Sequence, residues 1–600
     1  MIKCSDFVMK FLIQRGIKHI FLIAGGGAMH LINSAGSFPG ELEYVANLHE
    51  QASALCAQAY GHLTGNFGVA LVTTGPGGTN TITGVAAAWM DSTPMLIISG
   101  QVKRSTLMGD SGVRSMGSQE VDILPIVKPI TKYAVRVMEP ETIRFHLEKA
   151  IHLARSGRQG PVWLDIPQDV QAVMLDEEKL AGFSPQAEVQ EQTEALNRQI
   201  CEIVNLLNQS ERPVLLAGYG VQAARAEKEF LKLIQLLQIP ALTTWKAIGL
   251  LTEDHPLFAG RPGSIGQRGA NFTQQNSDLL ISIGARLDYD QVAFTHEYFA
   301  RGAKKVIVDI DPAEINKLHM EVLPVVADAG QFIHLFLAAK DAIAPIDRRI
   351  WLKQSQEWKK KYPVVLPEFW KQTGCVNMYV LMDALADELE EDEVIVPGSS
   401  GPCANVMMQA WRVKKGQKFI FAPALGAMGC GLPHSIGACL ASGRQRTVCV
   451  NGDGGFQLNI QELETVARLH LPIKYFVLAN GGYGSIMAMQ RNYFNGHYVG
   501  ANPESGLTFP DIKKVARAYG IPALHAGNHK TLREKIRQTL GTEGPVICEV
   551  KVSPLEVQQP RVMSALRKDG TLVSKPMEDL WPFLEREEFY ANMLIPPLPE

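Results

Sequence analysis

No run in the 600 residues approaches the ~20 consecutive apolar residues of a membrane-spanning helix, so a spanning protein is not expected. Charge of one sign is missing too. The chain carries 58 Lys and Arg against 61 Asp and Glu, a formal charge of −3, which gives no reason to propose nucleic acid as a partner. Cysteine pairs at CxxC spacing are absent, and the nine cysteines lie mostly within apolar runs, as reduced, buried thiols do. That argues for a cytoplasmic protein. The first residues form no uninterrupted apolar segment, because Lys3, Asp6, Lys10, Arg15 and Lys18 break it, and no signal peptide is expected. What is present is 46% apolar and 20% charged, a soluble globular composition on a chain too long for one hydrophobic core.

The most informative stretch runs from Thr447 to Gly484. An apolar, β-branched run, Thr447 to Val450, stops at Asn451-Gly452-Asp453-Gly454-Gly455. Leu463, Val466, Ala467 and Leu469 then recur at helical spacing, and a second apolar run, Ile473 to Leu478, ends at Asn480-Gly481-Gly482. This reads as a right-handed βαβ unit, which brings Asp453 and Asn480, 27 residues apart, to the carboxyl ends of parallel strands, where open α/β sheets bind ligands. One carboxylate, one amide oxygen and a glycine-rich backbone suit Mg2+ with a diphosphate supplying further oxygens. Gly-Asp-Gly taken alone is also an ordinary turn.

Together these residues resemble the diphosphate signature of thiamine diphosphate (ThDP) enzymes. The family has two asparagines at the far end; here the first is Ala479 and the second Asn480. The resemblance implies that Asp453, Asn480 and the Gly482 carbonyl hold the metal and that Gly452, Gly454 and Gly455 face the diphosphate. Pro397-Gly398-Ser399-Ser400-Gly401 is a second phosphate-loop candidate, with Gly398 and Ser399 against the cofactor. Gly426 and Met428 lie in Ala424 to Pro433, where Met428 matches the apolar wedge that keeps the cofactor bent; methionine in such a stretch is otherwise simply packed.

Near the start, a buried strand breaks at Gly25-Gly26-Gly27, and a short strand, Tyr44 to Leu48, runs through His49-Glu50 into the small-residue helix Gln51 to Leu63. On its own, Glu50 reads as a carboxylate favoured by a helix dipole. With the following GVALVTTGPGGTNTITGVAAAWMDSTPMLIISGQ, however, the segment looks like the pyrimidine-binding domain of acetolactate-synthase-like ThDP enzymes. Glu50 matches their cofactor-activating glutamate, which favours the imino form of the aminopyrimidine so that the thiazolium C2 proton is removed; Gly26 falls in the same pocket. Gln119 matches a glutamine near the reacting carbonyl, and its loop is otherwise a solvated one. Acetolactate synthases have Phe-Gln-Glu there, and Ser118 in place of the aromatic implies a roomier pocket.

The expected fold class is α/β, with three Rossmann-like, doubly wound parallel-sheet domains: pyrimidine-binding (1–175), middle (195–340) and diphosphate-binding (373–555), followed by a C-terminal tail (556–600). Residues 176–194 and 341–372 read as linkers. In the middle domain, Arg286 and Asp288 of GARLD and Asp309 and Asp311 of VDIDPAEI resemble the whole superfamily, whereas Arg158 and the GRPGSIGQRGAN segment (260–271) resemble the members that bind FAD. FAD bound by Arg158, Arg286 and Asp309 is expected; the alternative is an empty dinucleotide fold in which Arg158 and Arg286 make structural ion pairs.

The resemblance implies a carboligase. Pyruvate or a similar 2-oxo acid is the donor, CO2 leaves, and the two-carbon unit joins a carbonyl acceptor. The family builds each site across two chains, so a homodimer or homotetramer is expected; a regulatory subunit is left open. Biosynthetic members carry a tryptophan where this chain has Met489, and with Ser118 this points to a larger acceptor, a ketone or keto-deoxysugar nucleotide as in yersiniose biosynthesis. Other classes are a flavin-linked pyruvate oxidase using Trp581, Phe583 and Leu584 of the tail at a membrane surface, against which its prolines and Glu585, Glu587 and Glu588 argue; a simple decarboxylase, which would carry a His-His pair missing here; and a non-catalytic paralogue.

Overall fold

A computed structural model describes residues 1–185, 191–399, 401–566 and 572–598, so Ser400 and part of the expected 176–194 linker lie outside the described residues. Three six-stranded, wholly parallel sheets organise the chain. The first comprises β1 (His19–Leu22), β2 (Glu43–Ala46), β3 (Gly68–Val72), β4 (Met95–Gln101), β5 (Tyr133–Arg136) and β6 (Pro161–Pro167) in the order β2-β1-β3-β4-β6-β5. The second, β7 (Pro213–Ala217), β8 (Ala241–Thr243), β9 (Phe258–Gly260), β10 (Leu279–Ile283), β11 (Lys304–Asp309) and β12 (Leu323–Val326), runs β9-β8-β7-β10-β11-β12. The third, β13 (Val394–Pro397), β14 (Lys418–Phe419), β15 (Thr447–Gly452), β16 (Ile473–Ala479), β17 (Ala523–Ala526) and β18 (Val546–Lys551), repeats the first in the order β14-β13-β15-β16-β18-β17.

Every residue of β3, β4, β6, β7 and β10 is buried, as parallel strands covered by helices on both faces require. The strand order then places the ligand crevices. Both outer sheets reverse direction between their first and third strands, as flavodoxin-like sheets do, and the middle sheet reverses between β7 and β10, the dinucleotide-binding order.

The outer domains share one core. Helix α1 (Glu50–Thr64) lies on helix α2 (Gly431–Ala441), where a Cβ at Gly437 would overlap the Cys56 carbonyl, and the Cys56 thiol donates to Pro433 O at 3.1 Å. Phe21, Ala57 and Val72 of the first domain and Ile436, Cys449 and Val477 of the third belong to one apolar cluster.

Two stretches depart from the sequence reading. The expected linker 341–372 contains the helix Arg349–Lys361, whose Trp351 and Trp358 are buried against the middle domain. The tail, set apart as 556–600, packs into the same domain. Met577, Leu580 and Phe589 are buried, and Asn271 Nδ2 donates to Met577 O at 2.6 Å and Arg268 Nη2 to Pro582 O at 2.6 Å. Of the three side chains offered for a membrane surface, Leu584 packs against the middle-domain core, whereas Phe583 stays 43% exposed. Among the described residues no helix is long and apolar enough to cross a membrane.

Candidate active site

Three loops converge at the reversal point of the third sheet. Register pairs Pro397 with Val450 and Gly452 with Leu478, so the residues after β13, β15 and β16 emerge side by side. A Cβ at Gly398 or Gly455 would press on Asn451 Oδ1, and only glycine lets these backbones close around that amide. Asp453 opens the helix Asp453–Gln457 and is 4% exposed. Its Oδ1 accepts from Gly454 N at 2.8 Å, and its Oδ2 from Asn480 N at 2.9 Å and Gly481 N at 2.7 Å. Asn480 Oδ1 accepts in turn from Gly482 N at 3.1 Å. Burial pushes the Asp453 carboxyl up to about 6, with these backbone N–H groups opposing the rise. No Lys or Arg side chain pairs with it among the described residues. A buried carboxylate beside an amide oxygen, with no protein cation, fits a small divalent ion and the diphosphate that such an ion bridges.

Glu50 begins α1, and its Oε2 accepts from Asn80 Nδ2 at 3.0 Å. Asn80 ends the short helix Pro76–Asn80, whose preceding Gly75 packs directly against the Gln119 backbone, with both Gly75 and Gln119 at positive φ. One element thereby sets Glu50 and the Gln119 loop together. The Gln119 side chain is exposed, and Thr74 Oγ1 donates to its carbonyl at 3.3 Å. On the other side, Glu462 of the third domain grips the segment leading into Glu50: Leu48 N and His49 N donate to Oε1 at 2.8 and 3.1 Å, and Asn47 Nδ2 to Oε2 at 2.9 Å. Asn459 Nδ2 bonds both Gln51 Oε1, at 3.0 Å, and Gly429 O, at 2.9 Å. Half-buried Met428 precedes that glycine.

A cavity of about 1290 Å3 opens at the reversal point of the middle sheet and extends to Ser399 and Gly426 of the third domain. Arg158, Arg286 and Asp309 all line it. Gly218 and Gly220 pack so closely on Gly284 that side chains there would overlap backbone. Arg158 Nη1 donates to Asp311 Oδ2 at 2.9 Å and Glu314 Oε1 at 2.5 Å, so it is ion-paired as it lines the cavity. Arg286 Nη1 donates to Met90 O at 3.3 Å, while its buried Nε has no hydrogen bond but stands 3.8 Å from Glu314 Oε1, an ion pair with the same acid that takes Arg158. Burial raises the Asp309 carboxyl, at the end of β11. A large cavity at a Rossmann reversal point, with an acid at a strand end and two arginines on its wall, fits a dinucleotide.

The N-terminal TPP (thiamine pyrophosphate) binding domain of thiamine pyrophosphate enzymes matches residues 2–126, their central domain residues 200–336 and their C-terminal TPP binding domain residues 399–550. A probable acetolactate synthase large subunit of Methanocaldococcus jannaschii is 32% identical over 92% of this chain and 92% of its own length. The acetolactate synthase of Arthrospira platensis is 32% identical over 92% of this chain and 94% of its own, and acetolactate synthase 2, chloroplastic, of Nicotiana tabacum 31% over 94% and 84%. The chain belongs to the acetolactate synthase family of ThDP enzymes. It is a ThDP-dependent, C–C bond-forming enzyme of the acetolactate synthase type.

In this acetolactate synthase-like fold, Gly398, Ser399, Gly452 to Gly455, Asn480 and Gly482 meet at one sheet edge, and a Cβ at Gly482 would overlap Ala501 O. Gly26 lies in the loop after β1, with open space where a side chain would stand. The GRPGSIGQRGAN segment, read as flavin-facing, is mostly turned away: Arg261 is buried against Met408 O and Trp411 O, and Arg268 and Asn271 bond the tail, leaving Pro262 and Gly263 on the cavity. Asn80, Asn459 and Glu462 escaped sequence reading. The available signal was the QEL turn after GDGG, in which an acidic residue begins a short apolar helix.

Proposed function

We propose that this enzyme decarboxylates pyruvate or a similar 2-oxo acid and joins the two-carbon remainder to a carbonyl acceptor, using ThDP, Mg2+ and a resident FAD. The observation that carries this reading is the Asp453 carboxylate, buried, tied by three backbone N–H groups, and set beside Asn480. When bound, ThDP supplies the nucleophile and the electron sink. Asp453, Asn480 and the Gly482 carbonyl hold the metal; Gly398, Ser399, Gly426 and Gly452 to Gly455 hold the diphosphate. Glu50, positioned by Asn80 and by the Glu462 grip, holds a proton against the aminopyrimidine nitrogen. Met428 supports the ring system, and Gln119 faces the donor's carbonyl oxygen. Arg158, Arg286 and Asp309 hold FAD.

Glu50 serves a neighbouring chain's diphosphate site, so the working unit is a homodimer or homotetramer. Leu48 and Leu458, which flank the Glu50 region, are 52% and 45% exposed in the single chain, as side chains awaiting a partner are. The relatives' "large subunit" names make a smaller companion chain a further expectation. A second reading, with a bulky ketone or keto-deoxysugar nucleotide as acceptor, rests on Met489, on the helix Gly484–Tyr493, being smaller than the tryptophan of biosynthetic members.

The test is turnover of pyruvate with ThDP and Mg2+, following CO2 and product by mass spectrometry, with and without ketone and keto-sugar acceptors. Rapid acetolactate from pyruvate alone supports acetolactate synthesis. Slow CO2 release that accelerates with a ketone supports cross-ligation, and no CO2 under any condition defeats both.

A further inference from the structure

The inner wall of the middle-domain cavity carries buried polar groups that the reaction proposed above does not use. Asp91, from the first domain, is 4% exposed. Lys246, just after β8, donates from Nζ to Asp91 O at 2.5 Å and to Asp91 Oδ1 at 3.0 Å, and stands 4.2 Å from the centroid of the Tyr219 ring. His62 meets that ring edge-on at 5.0 Å, and the Ala424 amide of the third domain lies beside the Asp91 carboxylate without a bond of ordinary geometry. Three domains meet here. Asp91, Tyr219, Lys246 and Arg286 all line the cavity.

Two buried atoms of this wall lack a hydrogen bond, the acceptor Asp91 Oδ2 and the donor Arg286 Nε, the latter facing Glu314 Oε1 at 3.8 Å as a longer ion pair. Buried polar atoms are nearly always bonded, and those that are not call for a ligand or water. A ligand edge that satisfies the wall must offer an N–H to the carboxylate and carbonyl oxygens to the ammonium and guanidinium. An imide, C(=O)–N(H)–C(=O), does so; pyruvate, with no N–H, does not. Lys246 itself lies away from Asp309. Lys246 follows β8 and Asp309 ends β11, three strands across the sheet. At ~4.8 Å per strand that separation is roughly 14 Å, enough to keep apart the two ring systems of an extended dinucleotide.

We propose that Asp91 and Lys246 form the subsite for the imide edge of the flavin ring, so that Lys246 makes the cavity select FAD over a plain adenine nucleotide. The proposal rests on the FAD reading above. It is tested on full-length protein freed of nucleotide, titrated with FAD by flavin fluorescence and with ADP by calorimetry, for the wild type, Lys246→Met and Asp91→Asn. Loss of a charge-assisted hydrogen bond should weaken FAD about 10- to 100-fold in each variant. ADP, which reaches only the Asp309 end, should stay within about twofold. FAD binding unchanged in Lys246→Met, or FAD and ADP weakened alike, overturns the subsite. If Lys246→Met does not fold, judged by circular dichroism, Asp91→Asn and Lys246→Gln decide by the same comparison. Wild-type protein that takes up ADP but no FAD, or neither, overturns the flavin reading and the subsite with it, an outcome distinct from failure of the variants alone.

Discussion

Glu462 accepts a hydrogen bond from Asn47 across 415 residues of chain, at 2.9 Å and out of contact with solvent. Its two oxygens also take Leu48 N, His49 N and Thr465 Oγ1. The bond joins the third domain to the strand end from which Glu50 departs, so one carboxylate fixes where Glu50 stands relative to the third domain of its own chain. Glu462→Gln keeps the size but turns one acceptor into a donor facing other donors. Unfolding should become easier by about 2–3 kcal/mol, and turnover should fall at least ~10-fold because Glu50 shifts. Urea titration and pyruvate turnover check both; lost stability with unchanged turnover would make Glu462 a domain tie only.

Glu50 itself should be needed for chemistry but not for cofactor retention. Glu50→Gln and Glu50→Ala are expected to lower turnover at least ~10²-fold, the range for a positioned acid–base group. ThDP affinity should change little, since the diphosphate and metal carry most of the binding. Wild-type turnover in either variant removes Glu50 from the mechanism.

How much of this was readable depends on the range of the contacts. Pro213–Ala217 and Leu279–Ile283 are legible as strands in the sequence because central parallel strands, buried on both faces, are continuous apolar runs. Asp453 and Asn480 stood out because a single βαβ unit carries both. Glu462 did not, because an isolated glutamate on a short helix looks solvated and its partners lie more than 400 residues away. The segment 260–271, read from its resemblance to FAD-binding members, runs into the helix Arg268–Gln275, polar yet buried throughout, and only the packed tail explains where its polar atoms go. Trp351, Ser355 and Trp358 form a narrow stripe on a lysine-rich helix, and so 341–372 passed for a linker. Strand order was beyond reach, since register in a parallel sheet is set by neighbours far apart in sequence.

The proposal that each active site is shared between two chains is testable by genetic complementation. Glu50→Gln and Asp453→Ala chains, each inactive as a homo-oligomer, should recover activity when co-expressed, because a mixed dimer contains one site with both residues intact. Mixed oligomers purified with two different tags provide the measurement. If the mixed dimer is as dead as its parents, Glu50 serves its own chain.

The metal requirement should depend on pH. Burial raises Asp453 to about 6, so in the metal-free protein the folded state holds this proton more tightly than the unfolded chain. Its contribution to stability is therefore complete below about pH 4 and is lost as pH rises through about 6. Metal binding runs the other way, because it needs the ionised carboxylate. The Mg2+ concentration for half-saturation should rise about tenfold per pH unit below about 6 and be flat above about 7. Titrations followed by ThDP retention at pH 5, 6 and 7.5 measure it, and a requirement independent of pH would mean that Asp453 is not the ligand.

The tail should be a structural part of the middle domain. Glu578 is 1% exposed, and its carboxylate accepts from Arg301 Nη1 at 2.5 Å and Gln275 Nε2 at 2.8 Å. Glu578→Ala strands a guanidinium that is itself mostly buried, and removing one partner of such a pair costs about 3–5 kcal/mol, more than the truncated side chain alone would. The loss should appear in the unfolding transition of the middle domain. Glu585→Ala, a nearby acidic change in the same tail with no such partner among the described residues, should leave that transition within about 0.5 kcal/mol. Equal effects of the two would mean that tail charge in general, rather than the Arg301–Glu578 contact, holds the tail in place.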